Sequence, residues 1–101
     1  GLILKDIYNN DFAKISKNSC DEMLSIMTKQ TIRDKLSFYI PEDDWPKIAS
    51  KTGTLDKVEH DASIFSFSNK KFVLVLLSKN LPTNAYGNIT IAKTAKKICG
   101  L

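Results

Sequence analysis

The stretch "SKTGTLDKVEHDASIFSF", residues 50–67, decides the fold, because it predicts two β-strands joined by a polar connection. The run "FVLVLL" at residues 72–77 is rich in branched side chains, which is typical of a buried strand, and it is too short to cross a membrane. Between these segments Ser68-Asn69-Lys70 predicts a tight turn and therefore a hairpin. The predicted strands lie near residues 47–54, 60–67 and 71–79. Their succession predicts an antiparallel meander.

Apolar side chains recur at helical spacing at both ends of the chain. They predict a helix over residues 2–9 and another from about residue 88, whose lysines occupy the face opposite its apolar residues. Gly100 is a natural stop for the second of these helices. The expected fold class is therefore α+β, with the C-terminal helix packed on an antiparallel sheet of about three strands.

Two capping patterns predict further helices ahead of the sheet. Ser19 followed by Glu22 forms a capping box, in which the hydroxyl and the carboxylate each accept a hydrogen bond from a free amide. It predicts a helix over about residues 20–30. Thr31 with Asp34 repeats this pattern and predicts a brief second helix that ends before the next proline.

The composition is that of one small folded domain. Of the 101 residues, 43% are hydrophobic and 26% are charged, which is ordinary for a folded chain. The net charge is +4, but the lysines are scattered, which argues against a nucleic acid as partner. Cys20 and Cys99 match no redox or metal-ligand spacing, and we expect each to be a buried thiol. Because His60 is the only histidine, this chain alone cannot assemble a metal cluster or a histidine-based catalytic triad.

Two features indicate that residues 1–101 form a single incomplete domain. The chain begins Gly1-Leu2-Ile3-Leu4, with an apolar periodicity already under way and with neither an initiating methionine nor a signal peptide. The strand that contains "FVLVLL" does not alternate, so it requires cover on both faces of the sheet. We therefore expect a partner for the sheet, either a missing N-terminal portion or a second copy.

Lys51-Thr52-Gly53-Thr54 is the strongest chemical signal in the sequence. This motif on a strand resembles the third motif of serine β-lactamases and penicillin-binding proteins. The similarity continues through the helix with "DEMLSIM", the strand with "HDASIF", the strand with "KFVLVLLSKN" and the C-terminal helix. The chain therefore resembles, element for element, the C-terminal part of class A β-lactamase-like serine hydrolases.

The resemblance implies roles for five residues at this strand. Lys51 would supply positive potential toward a substrate carboxylate and the catalytic hydroxyls, and the Thr52 and Thr54 hydroxyls would bind that carboxylate. The Thr54 backbone amide would be one of two oxyanion-hole donors. Gly53 would let the substrate approach the backbone closely. His60 would assist carboxylate binding, although from the residues alone a surface histidine or one with a structural hydrogen bond is equally expected. The resemblance implies no metal and no cofactor.

The serine nucleophile of this family is not found in the sequence. The family places a serine three residues before a lysine at the start of a helix, well ahead of the third motif. The formal match from Ser68 to Lys71 lies in a hairpin turn after that motif and is rejected. Two formal matches to the second motif, serine-x-asparagine, begin at Ser16 and Ser78 and are interpreted as accidental. We therefore expect the chain alone to be inactive as a hydrolase.

The resemblance leaves the substrate of the whole protein open. It implies cleavage of a β-lactam or a peptidoglycan-like peptide through an acyl-serine, in a bacterial protein that is secreted, periplasmic or part of the cell envelope. The alternative is a non-catalytic ligand-binding or scaffold domain that retained the sheet and lost the nucleophile. Neither a membrane span nor a nucleic-acid partner is expected.

Overall fold

The computed structural model describes residues 1–10 and 15–101. Their elements are three α-helices, a 3-10 helix and three β-strands. In chain order they are α1 (Leu2–Asn9), α2 (Lys17–Thr28), the 3-10 helix (Glu42–Lys47), β1 (Ile48–Leu55), β2 (Val58–Phe67), β3 (Lys70–Ser78) and α3 (Asn84–Ile98). No helix among these residues is long and apolar enough to cross a membrane.

The three strands form an antiparallel sheet in the order β1-β2-β3, which confirms the predicted meander. Ser68 and Asn69 form the tight turn between β2 and β3, as predicted. The turn between β1 and β2 consists of Asp56 and Lys57, and Lys57 has a φ of 55°. Within the described residues, β1 lies at one edge of the sheet and β3 at the other. The fold class is α+β, as the sequence predicted.

The main hydrophobic core lies between the sheet and α3. It contains Leu36, Ile48, Phe65, Ile91 and Ala95, all buried. The ring of Phe65 also stacks on the ring of Phe72 in β3, with 4.7 Å between the ring centroids. Because side chains alternate along a strand, the residues of β1 and β2 that flank these core positions face the other side of the sheet. The helices α1 and α2 cover part of that second side.

The strand that contains "FVLVLL" is covered less completely than its apolar sequence requires. Residues 72–76 are half-buried, and Leu77 is 71% exposed. On the side opposite α3, Val73 and Val75 line an apolar groove of about 620 Å³ together with Leu2 and Tyr8 of α1. Within the described residues, β3 therefore has the core on one face and an open groove on the other.

The cap of α2 differs from the predicted one. The helix begins at Lys17, and its N-cap is Ser16, whose Oγ accepts a hydrogen bond of 3.1 Å from the Ser19 amide. The predicted capping box at Ser19 is wrong, because Ser19 already lies within the first turn. The pattern of a small hydroxyl residue ahead of the apolar face occurs twice in this segment, and the earlier serine caps the helix.

The effect of removing each serine distinguishes the two caps. Ser16→Ala is expected to lower the free energy of unfolding by about 1 kcal/mol, because it leaves an amide of the first turn without its acceptor. Ser19→Ala keeps that amide and its acceptor, so it is expected to change stability by less than about 0.5 kcal/mol. Urea denaturation of both variants measures the difference, and equal effects would contradict the observed cap.

The brief helix predicted after Thr31 is wrong. Residues 34–40 instead form turns, in which Phe38 donates to the Lys35 carbonyl and Ile40 donates to the Ser37 carbonyl. The physical reason is that Lys35 and Ser37 are buried polar side chains in this segment, whereas an amphipathic helix would expose its polar side chains to solvent. The C-terminal helix is confirmed, but it begins at Asn84, four residues before the predicted start at 88.

Candidate functional site

The motif residues Lys51, Thr52, Gly53 and Thr54 all lie on β1, the strand at one edge of the sheet. An edge strand presents alternate backbone amides and carbonyls away from its neighbour, where an extended ligand can bind them. Lys51 is exposed, and its Nζ donates to the Thr52 carbonyl at 2.7 Å. The lysine charge is therefore available at the sheet edge without a carboxylate partner among the described residues.

His60 lies opposite Gly53 on β2, so both residues face the same side of the sheet. A Cβ added to Gly53 would lie 3.7 Å from the His60 Cβ and 3.8 Å from its Cδ2, which are ordinary contacts. The His60 Nδ1 accepts a hydrogen bond of 3.2 Å from the Ser78 amide. This bond requires a ring whose Nδ1 carries no proton, so a neutral His60 bears its proton on Nε2. The structural hydrogen bond foreseen for His60 is therefore present.

Thr52 and Thr54 face the opposite side of the sheet, and the Thr54 hydroxyl is already hydrogen-bonded there. Its Oγ1 donates to Glu59 Oε2 at 2.8 Å. The same oxygen accepts from the Lys35 ammonium at 2.9 Å. Thr54 itself remains an exposed residue. One of the two hydroxyls expected to bind a carboxylate is thus held by a pair of charged side chains.

These two charged side chains form a buried ion pair beneath the motif strand. The Lys35 Nζ lies 2.6 Å from Glu59 Oε2, and the two side chains are 1% and 2% exposed. The ammonium also donates to the Gly53 carbonyl and the His60 carbonyl, each at 3.3 Å. Lys35 therefore binds backbone or side-chain atoms on both strands of the candidate site. Such a pair is costly to bury and is tolerated because its hydrogen bonds are satisfied.

The protonation state of Glu59 follows from these contacts. Burial alone would raise the pKa of its carboxyl, since it penalises the charged form. The hydrogen bonds from Lys35, Asn84 and Thr54, together with the charge of Lys35, outweigh burial and hold the pKa of Glu59 below its ordinary value. Glu59 is therefore a carboxylate at neutral pH.

Asn84, the first residue of α3, connects this ion pair to the turn between β1 and β2. Its Nδ2 donates to Glu59 Oε1 and to the Leu55 carbonyl, each at 2.8 Å. Its Oδ1 accepts from the Lys57 amide at 3.0 Å. A single side chain thus binds the last residue of β1, the turn and the buried carboxylate.

A second buried polar group lies nearer the centre of the sheet. The Arg33 guanidinium donates to the carbonyl of Ile48 and the hydroxyl of Ser50, both on β1, while the Leu36 amide donates to Asp61 Oδ2 at 3.0 Å. Burial lowers the pKa of Arg33, against the effect of Asp61, and burial raises the pKa of Asp61 against the amide hydrogen bond. Arg33 therefore contacts β1 directly, whereas Asp61 on β2 holds the segment at Leu36.

The formal serine matches have structural roles. Ser16 caps α2, Ser68 lies in the hairpin turn, and the Ser78 hydroxyl donates to the Glu59 carbonyl at 2.6 Å. Both cysteines are free thiols; Cys20 is buried, as predicted, but Cys99 is only half-buried, so the prediction of burial is wrong for Cys99. Across residues 1–10 and 15–101, no three carboxylate, histidine or cysteine side chains cluster as metal ligands.

Sequence reasoning missed Lys35, Glu59 and Asn84. The capping pattern at Thr31 predicts a brief helix through Lys35, in which a lysine would face solvent. The alternation on β2 places Glu59 on the same face as the apolar Phe65, which is the one signal that could have drawn attention to it. A carboxylate on the buried face of a strand requires a counter-ion, but neither its identity nor its position follows from the spacing.

The comparison with known families decides the affiliation of the chain. Residues 1–100 match the model of the β-lactamase enzyme family. The chain belongs to this family. The β-lactamase of Sphaerobacter thermophilus DSM 20745 has a similar structure, with a TM-score of 0.82 and 25% sequence identity. The match covers 96% of this β-lactamase-family chain and 36% of the Sphaerobacter chain. The β-lactamase-family chain matches no curated protein sequence.

Proposed function

We propose that this chain contributes the carboxylate- and oxyanion-binding strand of a serine hydrolase that cleaves a β-lactam or a peptidoglycan-like amide through an acyl-serine. The observation that carries the proposal is the position of Lys51-Thr52-Gly53-Thr54 on an edge strand of a β-lactamase-family sheet. An extended acyl-amide substrate can bind the backbone of an edge strand much as another strand would.

Each motif residue has a role in this proposal. The exposed Lys51 ammonium attracts the substrate carboxylate, and the Thr52 hydroxyl donates a hydrogen bond to it. Gly53 leaves room for the substrate next to the backbone. The Thr54 amide is one of two donors to the oxyanion that develops on the attacked carbonyl, a contribution of roughly 3–4 kcal/mol to transition-state stabilisation. His60 borders the site beside Gly53 and assists carboxylate binding.

The proposal places the nucleophilic serine outside these residues. The chain alone is therefore expected to show no covalent labelling when it is incubated with a fluorescent penicillin, because acylation requires an activated hydroxyl. Denaturing gel electrophoresis with fluorescence detection measures the result. A labelled band from this chain would contradict the absence of a nucleophile. The complete protein encoded by the gene is the matched sample, and it is expected to be labelled.

The second candidate function is a non-catalytic ligand-binding or scaffold domain. The hydrogen bonds that engage the Thr54 hydroxyl favour it, because they leave one hydroxyl fewer for a substrate carboxylate. A serine followed three residues later by lysine, at a helix start upstream of these residues in the natural gene, would support the enzyme. Its absence there, together with no labelling of the complete protein, would leave only the binding function.

A further inference from the structure

The Thr54 hydroxyl has a fixed hydrogen-bond direction. A hydroxyl has one proton to donate and two lone pairs that accept. The Lys35 ammonium has protons and no lone pair, so Thr54 can only accept from it. The Glu59 carboxylate has lone pairs and no proton, so Thr54 can only donate to it. The observed distances of 2.9 Å to Lys35 and 2.8 Å to Glu59 satisfy both bonds. The single proton of Thr54 therefore points into the protein.

The surrounding contacts oppose a reversal of this direction. The Lys35 and Glu59 side chains are 1% and 2% exposed, so water has little access to either charge in place of Thr54. The second oxygen of Glu59 accepts from Asn84 Nδ2 at 2.8 Å, which holds the carboxylate in place. The Lys35 ammonium is held by the carbonyls of Gly53 and His60. Turning the Thr54 proton outward would leave Glu59 Oε2 with one donor fewer in a buried setting.

We propose that the Lys35–Glu59 pair makes Thr54 an acceptor toward substrate, so that its hydroxyl selects a ligand N–H or O–H group and leaves the carboxylate to Lys51 and Thr52. This proposal rests on the proposed function, and it changes the role expected for the Thr54 hydroxyl. A carboxylate offers only acceptors and cannot use the remaining lone pair of Thr54. An amide N–H next to the reactive carbonyl can use it. Thr54 is thus a specificity-determining residue for a substrate donor.

A titration of Glu59 tests the direction of the hydrogen bond independently of catalysis. The complete protein is labelled with ¹³C at its glutamate carboxyl carbons, and the Glu59 signal is identified by its loss in Glu59→Gln. In Thr54→Val the pKa of Glu59 is expected to rise, because the carboxylate loses a donor. Thr54→Ser is expected to restore the wild-type value. An unchanged pKa in Thr54→Val would overturn the proposal, whether or not the protein has hydrolase activity.

Paired substrates test the specificity. The wild-type protein is tested with two β-lactams, a parent compound and its analogue with an N-methylated side-chain amide. Acylation by the analogue is expected to be at least about tenfold slower, which corresponds to about 1.4 kcal/mol of transition-state stabilisation. Thr54→Val is expected to reduce this discrimination, because only backbone carbonyls of the edge strand then remain as acceptors, and Thr54→Ser is expected to keep it. Discrimination of undiminished size in Thr54→Val would overturn the proposal.

A second substrate pair separates this proposal from the proposed function. The parent is compared with an analogue in which a carboxamide replaces the carboxylate. Thr54→Val is expected to change the ratio of the two acylation rates by less than about threefold, because the valine removes no carboxylate donor. If Thr54→Val lowered the acylation rate of the parent at least about tenfold more than that of the carboxamide analogue, this inference alone would be overturned. If Lys51→Ala lowered the acylation rates of the parent and the carboxamide analogue equally, the proposed function would be overturned instead. The Glu59 titration would still decide the hydrogen-bond direction of the Thr54 hydroxyl.

Discussion

Replacing Lys35 by methionine is expected to lower the free energy of unfolding by about 3–5 kcal/mol. The variant leaves the Glu59 carboxylate, which is 2% exposed, without its counter-ion. It also leaves the Gly53 and His60 carbonyls without the ammonium that donates to them. Urea denaturation at neutral pH, followed by far-ultraviolet circular dichroism, measures the loss. An effect of this size would identify the buried pair as a main determinant of stability at the candidate site.

Two controls accompany this prediction. The double variant Lys35→Met, Glu59→Leu replaces both charges with apolar groups and is expected to recover most of the lost stability. Lys47 makes an exposed ion pair of 2.8 Å with Asp44, so Lys47→Met is expected to cost less than about 1 kcal/mol. If Lys35→Met cost as little as Lys47→Met, the buried pair would not exist in solution.

The effect of Lys35→Met is also expected to shrink as the pH falls. In the wild type the folded-state pKa of Glu59 lies below its ordinary value. Its contribution to stability is therefore present above the unfolded-state pKa of about 4.3 and is lost as the pH falls through the folded-state pKa. In Lys35→Met the buried carboxyl lacks its counter-ion, so its pKa rises and it takes up a proton at higher pH. The unfolding free energies of the wild type and of Lys35→Met are therefore expected to converge as the pH falls from about 7 toward 4.

Lys51→Ala is expected to lower the acylation rate of the complete protein by about 100-fold to 1,000-fold with a carboxylate-bearing β-lactam. In the proposed function, this variant loses the positive charge that binds the substrate carboxylate and acts on the catalytic hydroxyls. Lys51 is exposed, and within the described residues its ammonium donates only to the adjacent Thr52 carbonyl, so stability is expected to change by less than about 0.5 kcal/mol. Stopped-flow fluorescence with a labelled penicillin measures the rate.

Lys47→Ala is the matched control for this second prediction. Lys47 is also an exposed lysine and lies just before β1, but its ammonium is paired with Asp44. We expect it to leave the acylation rate within about twofold of the wild type. Equal losses in both variants would indicate a general electrostatic effect on a negatively charged substrate. A normal rate in Lys51→Ala would refute the role proposed for the motif lysine.

The fold could be predicted from short-range signals. The branched residues of β3 and the tight turn at Ser68 specify a hairpin, and these features depend only on neighbouring residues. The motif strand was also recognisable, because Lys51 and its neighbours combine residue types that a plain strand does not need. Element ends were less predictable. Ser16 and Ser19 offer the same chemistry three residues apart, and the choice between them depends on how α2 packs.

The buried part of the candidate site could not be predicted, for a different reason. Lys35 lies 24 positions before Glu59 in the sequence and is surrounded by residues with no consistent periodicity. Only the three-dimensional fold brings the two charges to 2.6 Å. Charged residues are almost never fully buried unless they are paired, so a sequence reading assigns each of them to the surface by default. The partner that makes burial possible is a long-range contact.

The hydrogen bonds of Asn84 have a mechanical consequence. They join the first residue of α3 to the Leu55 carbonyl, the Lys57 amide and the Glu59 carboxylate. A displacement of α3 along its axis would therefore pull on the end of the motif strand, one residue beyond Thr54. The start of α3 and the end of β1 are thus held to each other by one side chain. A shift of the first turn of α3 is thus expected to move the Leu55 carbonyl, which directly follows Thr54, the residue whose amide we propose as an oxyanion donor.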